Sequence, residues 1–128
     1  MTAKRITKNY TVTEEMLAER VGSGSLPVLA TPVLATLFEG AAAEIAQEFL
    51  ADGLTTVGTE ITVHHTAPTP CGAKITIEAE LTEQTDRVFR FRLTANDEAG
   101  PIADGTHERV SVKSERFTEK ALARKVSK

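Results

Sequence analysis

TPVLATLFEGAAAEIAQEFL, residues 31–50, is the longest apolar-periodic stretch of the chain. Leu34, Leu37, Phe38, Ala41, Ile45 and Phe49 recur at steps of three and four, which marks a helix with one buried face. Thr31 followed by Pro32 predicts its start, with a hydroxyl at the N-cap and then a proline whose missing N–H is not needed there. Glu44, Gln47 and Glu48 form the wet face. Glu39 does not join them. At about 100° per residue it falls roughly 140° from Glu44, among Ala35, Ala42, Ala43 and Ala46. An acid in a bed of alanines beside the apolar stripe is either a boundary glutamate or a residue with a task.

Outward from this helix, Asp52-Gly53 is expected to stop it, and four strands follow. Residues 54–66 are the first, closed off by Pro68, Pro70 and Gly72. Residues 73–83 alternate, with Ile75, Ile77, Ala79 and Leu81 on one side. Residues 87–96 put Phe89, Phe91, Leu93 and Ala95 inward and Arg90 and Arg92 outward. Residues 102–113 are the last. Short connections in a row imply an antiparallel meander. On the other side of the helix, residues 5–12 read as a strand, 13–17 as a short helix and 22–27 (GSGSLP) as a loop. The helix must bury its stripe, and the sheet is the surface available, so the fold class is α+β in a single domain, 1–128.

Composition narrows the function classes. No apolar run approaches the roughly 20 residues of a membrane span, and MTAKRITKNY holds no apolar signal core, so a cytoplasmic protein off the membrane is expected. A lone Cys71, in PTPCG, excludes an internal disulfide and a cysteine-rich metal site. The net charge is −3, yet residues 113–128 carry six Lys/Arg against Glu115 and Glu119, a balance of +4 that leaves −7 elsewhere. With no Trp and one Tyr, the basic tail lacks the aromatic interleaving that stacks bases, so no nucleic acid is expected. A solvated terminal helix is the reading, some of whose charge could meet the phosphates of a small ligand.

Side chains two apart on a strand share a face, which separates the adjacent His64 and His65. His65 continues the parity of Val57, Ile61 and Val63 and points at the helix, whereas His64 points away with Glu60 and Thr62. An inward imidazole could be a base, an orienting group or a satisfied core residue. Glu39 and His65 are each the polar exception on faces expected to pack together, and a carboxylate beside an imidazole favours the imidazolium. Thr31 adds a hydroxyl at a helix N-terminus, so acyl transfer or hydrolysis has its parts. Thr31 and Glu39 are eight residues apart, about 12 Å along a helix. Either His65 and the substrate bridge them or two subunits share the site. In GTHER, residues 105–109, Val110 and Val112 are expected inward and His107 and Arg109 outward, on a solvated face or clamping an anion. No phosphate-loop or metal-ligand spacing is present and no cofactor is expected.

LATPVLATLFEGAA, then VGTEITVHHTAPTPCG, then GTHERV resemble, in order and spacing, the hot-dog-fold thioesterases related to fluoroacetyl-CoA thioesterase, from about residue 20 to residue 117. The resemblance implies a long central helix wrapped by an antiparallel sheet of about five strands. It implies a homodimer whose sheets run on, and hydrolysis of an acyl-CoA thioester to a free acid and coenzyme A. The family's catalytic threonine, glutamate and histidine fall on Thr31, Glu39 and His65. Its glycine near the thioester falls on Gly58, and its arginine near the coenzyme A moiety falls on Arg109. The fluoroacetyl-specific enzyme carries lid phenylalanines just before the threonine. Here no aromatic lies between Tyr10 and Phe38, so the resemblance reaches the thioester class and not a fluorinated acyl group. A non-catalytic acyl-CoA-binding domain and a hydratase are the other classes the fold could carry.

Overall fold

In the computed structural model, which describes residues 4–126, β1 (Arg5–Thr11) leads through a 3-10 turn at Glu14–Met16 into α1 (Ala18–Val21) and α2 (Thr31–Gln47). Then come β2 (Leu54–His65), β3 (Lys74–Thr85), β4 (Val88–Asp97), β5 (Gly100–Lys113) and α3 (Ser114–Ala123). The stripe on α2 is buried as read: Leu34, Phe38, Ala41 and Ile45 are core, with Leu37 and Phe49 packed against it. Glu44, Gln47 and Glu48 are exposed. The opposing surface is the apolar face of β3 and β4, where Ile75, Ile77, Ala79, Phe89, Phe91, Leu93 and Ala95 are all buried. Each large apolar side chain buried there contributes about 1.5–3 kcal/mol. The α+β architecture of one long helix against a five-stranded antiparallel sheet is borne out.

Strand order differs from a plain meander. It is β1-β3-β4-β5-β2, so β2 pairs with β5 and not with β3. The connection after β2 explains this. Residues 66–73 contain Pro68 and Pro70, which lack N–H donors, and span too much chain for a tight hairpin. The segment carries the chain from the β2 edge across to β3, beside the far edge strand β1, and is pinned on the way. Leu29 N–H donates to the Thr69 carbonyl at 2.8 Å and Gly72 N–H to the Val12 carbonyl at 2.8 Å. The helix also stops at Gln47, earlier than Asp52-Gly53, and Gly53 takes φ +86° in the following turn.

Two bulges correct the reading of side-chain parity. The register of β2 against β5 shifts between Gly58 and Glu60, leaving Thr59 as an extra residue. Ile61, Val63 and His65 therefore face α2, while Val57 faces away, paired with Val110. The register of β4 against β5 shifts between Ala95 and Asn96. This puts His107 opposite Phe91 and Arg109 opposite Phe89 on the inner face. His107 and Arg109 are buried, and Val110 and Val112 lie on the outer face, the reverse of the expectation. Such bulges also raise the local twist that lets a sheet curl round a helix.

All described residues of α3 are exposed, as a solvated terminal helix requires; residues 127–128 of the basic tail lie outside the described residues. Cys71 is exposed in its loop. Among the described residues no helix is long and apolar enough to cross a membrane.

Candidate active site

Thr31 is the first residue of α2 and His65 the last of β2. The pinned 66–73 segment holds these two chain ends side by side, and Thr31 Oγ1 lies 2.8 Å from His65 Nδ1. The hydroxyl does not cap the helix, as the sequence suggested. Ala30 is the N-cap and no side chain caps the helix start. The helix terminus is also a poor anion site, because Pro32 has no N–H and those of Val33 and Leu34 are taken by the Ala30 carbonyl. The Thr31 hydroxyl is thus given to the imidazole and not to the backbone.

Burial lowers the His65 pKa below its usual value, with the Ala67 backbone opposing. The ring is therefore neutral at pH 7. Its Nε2 is buried and makes no hydrogen bond. With the proton on Nε2, Nδ1 is left to accept from the Thr31 O–H, the tautomer a general base needs. The pair opens onto a cleft of about 280 Å³ lined by Ala18, Ser23, Val28, Ala30 and Pro68, with no aromatic side chain on its walls. His64 faces the opposite way and meets Asp104 at 3.1 Å on the exposed side of the sheet.

Glu39 stands elsewhere. A methyl group at Gly58 would come 2.8 Å from Glu39 Oε2, 3.0 Å from His107 Cε1 and 3.4 Å from Arg109 Nη1. Glycine is what lets these three side chains close over the strand. His107 Nδ1 donates to the Glu60 carbonyl at 2.8 Å, which leaves Nε2 to accept from Arg109 Nη1 at 3.2 Å. Arg109 also donates from Nε to Thr56 Oγ1 at 2.8 Å and from Nη2 to the Thr56 carbonyl at 2.9 Å. Burial lowers the pKa of His107, with the Arg109 charge adding to the effect, so this imidazole too is neutral. Burial likewise lowers the Arg109 value while Glu39 opposes it. The guanidinium remains charged and is locked in place by Thr56 and His107. Glu39 Oε2 lies 4.0 Å from His107 Nε2, and its side chain is 41% exposed.

The expected residues therefore form two half-sites. One is Thr31 with His65; the other is Glu39 with Gly58 and Arg109. Gly58 and His65 are seven residues apart on β2, roughly 20 Å at strand rise, and Glu39 and Thr31 are about 12 Å apart on α2. The expected packing of Glu39 beside His65 is not formed within one chain. His107 and Thr56, which the sequence reading left out of the site, complete the second half-site. Only their strand partners, Phe91 and Ser111, reveal the face they share.

Comparison with known proteins adds four findings. Residues 12–115 match the family model described as fluoroacetyl-CoA-specific thioesterase (FlK). The fluoroacetyl-CoA thioesterase of Streptantibioticus cattleyicolor is 38% identical over 93 residues, 73% of this chain and 67% of that protein. The solved structure of the fluoroacetyl-CoA thioesterase FlK superposes with a TM-score of 0.91 at 30% identity, over 98% of both chains. A hot-dog-like protein from Thermanaerovibrio acidaminovorans superposes with a TM-score of 0.87 at 21% identity, over 97% of this chain and 92% of that one, and shares the hot-dog fold.

Proposed function

The chain belongs to the fluoroacetyl-CoA-specific thioesterase family, and from that premise we infer that it is an acyl-CoA thioesterase, cleaving a small acyl-CoA thioester to the free acid and coenzyme A. The carrying observation is the Thr31 Oγ1–His65 Nδ1 hydrogen bond of 2.8 Å, a hydroxyl nucleophile on a neutral imidazole base. The single hot-dog domain spans 1–128 and works in the cytoplasm, where acyl-CoA is made and consumed.

The two half-sites unite across a homodimer. β2 is an edge strand with no partner on its outer side among the described residues. In antiparallel self-pairing of β2 about Ile61–Thr62, Gly58 of one subunit stands opposite His65 of the partner subunit. The Thr31–His65 pair of one chain then faces Glu39, Gly58 and Arg109 of the other. The thioester lies against Gly58, where there is no side chain. Thr31 passes its proton to His65 Nδ1 as its oxygen attacks the thioester carbonyl. The coenzyme A sulfur leaves with that proton. Water, deprotonated by the same imidazole, then hydrolyses the acyl-threonine and returns the hydroxyl. Glu39, brought close to the imidazole by the partner, stabilises the imidazolium that forms in each half-reaction. Arg109 contributes a fixed positive charge for the coenzyme A arm. The walls of the Thr31–His65 cleft carry no aromatic gate, which supports an unselective small-acyl specificity over a fluoroacetyl one.

The test is thiol release from a panel of acyl-CoA thioesters, fluoroacetyl-CoA included. Turnover of short acyl groups, with fluoroacetyl-CoA not preferred, is expected. Absence of turnover on every member, with the esters still raising the melting temperature, would replace the enzyme reading by an acyl-CoA-binding domain.

A further inference from the structure

The crossover between β2 and β3 holds a polar side chain that belongs to neither half-site. Of the buried polar side chains among the described residues, only Thr69 lies outside a strand, and it is 0% exposed. Its hydroxyl donates to Asp97 Oδ2 at 2.9 Å. Asp97 ends β4, and its other oxygen accepts from the N–H groups of Ala99 at 2.8 Å and Gly100 at 3.2 Å. The carboxylate is therefore fixed by its own turn. It offers Thr69 an acceptor that does not follow a moving loop.

Bonds lead from this contact to each member of the Thr31–His65 pair. The Thr69 carbonyl accepts from Leu29 N–H at 2.8 Å, and Val28 bridges Pro70. On its other side Leu29 bridges Leu17, and Ala30 N–H donates to the Met16 carbonyl at 2.9 Å. Thr31 is the next residue. Pro68 and Pro70 flank Thr69 and restrict the backbone on both sides of it, so a shift of Thr69 is carried to Leu29 and not absorbed. The same β4–β5 turn leads to Ile102, whose carbonyl accepts from Thr66 N–H at 2.8 Å and from the Thr66 hydroxyl at 3.2 Å. Thr66 directly follows His65. One turn thus anchors both chain ends that bring Oγ1 within 2.8 Å of Nδ1.

We propose that Thr69 and Asp97 are positioning residues for the hydrolysis, their hydrogen bond setting the Thr31 hydroxyl against the His65 imidazole. The assignment rests on the acyl-CoA thioesterase reading, in which that pair supplies nucleophile and base. Neither residue is hydrogen-bonded to Thr31 or His65; the effect runs through the backbone at Leu29. A misplacement of about 1 Å caused by a change remote from the chemistry costs on the order of 10²-fold in rate. The half-site of Gly58 and Arg109 shares none of these bonds, so the effect falls on kcat and not on KM.

The experiment compares the wild type with Thr69→Val, which keeps the shape and loses the hydroxyl, and with Thr69→Ser, which keeps the hydroxyl. Initial rates are measured on an acyl-CoA. The nitrogen NMR shift of His65 Nδ1 is read alongside, assigned by its absence from His65→Ala. For Thr69→Val the expected result is kcat lowered about 10²-fold with KM nearly unchanged. Its Nδ1 shift should move to the position seen in Thr31→Val, where the donor itself is gone. Thr69→Ser should restore kcat to near the wild-type value and keep the wild-type shift. An unchanged kcat in Thr69→Val, an equal loss in Thr69→Ser, or a KM raised as far as kcat falls overturns the proposal. Should Thr69→Val not fold, Thr69→Ala replaces it with the same results expected, its smaller side chain leaving room for a water beside the carboxylate. Failure of both to fold overturns the proposal, because the bond then holds the fold and not the pair. Should the wild type hydrolyse no acyl-CoA, the enzyme reading fails and the Nδ1 shift alone decides. A shift moved in Thr69→Val and kept in Thr69→Ser supports the positioning; any other pattern overturns it.

Discussion

Thr31 and His65 are 34 residues apart in sequence and 2.8 Å apart through Oγ1 and Nδ1, while His64, next along the chain, faces the other side of the sheet toward Asp104. In the proposed mechanism His65→Ala removes the base. Turnover is expected to fall by about 10²–10⁴, whereas His64→Ala should stay within about twofold, since an exposed pair of this kind contributes little. Steady-state kinetics on one acyl-CoA, with circular dichroism to confirm folding, makes the comparison. Equal loss in both would contradict the placement of the two rings.

Glu39 and His65 stand apart within one chain, so the proposed mechanism, in which they cooperate, requires two chains. Glu39→Gln and His65→Ala should each be nearly inactive as homodimers. Unfolded together and refolded as a mixture, they form heterodimers in which one of the two sites draws an intact Glu39 from one subunit and an intact His65 from the other. Random pairing would restore about one quarter of wild-type activity. No recovery, in a mixture shown to exchange subunits, would place the whole site in one chain.

Gly58→Ala places a methyl group 2.8 Å from Glu39 Oε2 and 3.0 Å from His107 Cε1. Glu39 is half-exposed and can swing aside, so the fold should survive with a melting temperature lowered by a few degrees. The displaced carboxylate should cost at least tenfold in kcat. Gly105→Ala behaves differently, because its methyl group would fall on the Thr62 carbonyl oxygen, which is backbone. That variant should be strongly destabilised or insoluble. Thermal denaturation separates the two outcomes.

His107 acts on Arg109 as a positioning residue. Its Nε2 accepts from the guanidinium while Nδ1 is held by the Glu60 carbonyl. His107→Leu leaves a buried guanidinium N–H unpaired, at a cost of about 1–3 kcal/mol in stability, and frees Arg109 from its aim. His107→Gln keeps an acceptor and should retain most of the activity. The discriminating readout is rescue: a glutamine variant as impaired as the leucine variant would mean that packing, not the hydrogen bond, is what matters.

Burial lowers the pKa of both His65 and His107. In the unfolded chain each titrates near the ordinary value of about 6.5. Above that value both rings are neutral in both states and their contribution to stability is complete. As the pH falls below it the unfolded chain takes up protons that the folded rings refuse, so stability is lost as the pH drops through the lowered folded values. Urea midpoints should therefore decline from pH 7 to pH 5. The decline should be shallower in His107→Gln, which still folds but cannot titrate.

Much of this was open to sequence reading because it is local. The stripe from Leu34 to Phe49 and the alternation of Ile75–Leu81 and Phe89–Ala95 are properties of neighbouring residues and of two fixed periods, so the helix, the inner sheet face and the outward turn of His64 could be read directly. The motifs around Thr31, Glu39, Gly58, His65 and Arg109 pointed to the thioesterase family, which the matched relatives share. Tertiary structure decided what depends on long-range register. One extra residue at Thr59 turns Val57 outward, and the register shift between Ala95 and Asn96 turns His107 and Arg109 inward, because a slip of one residue exchanges the two faces of a strand. The 66–73 crossover decided that β2 would pair with β5. This laid Thr31 on His65 and left Glu39 on Gly58, two half-sites that no spacing along the chain could distinguish from one.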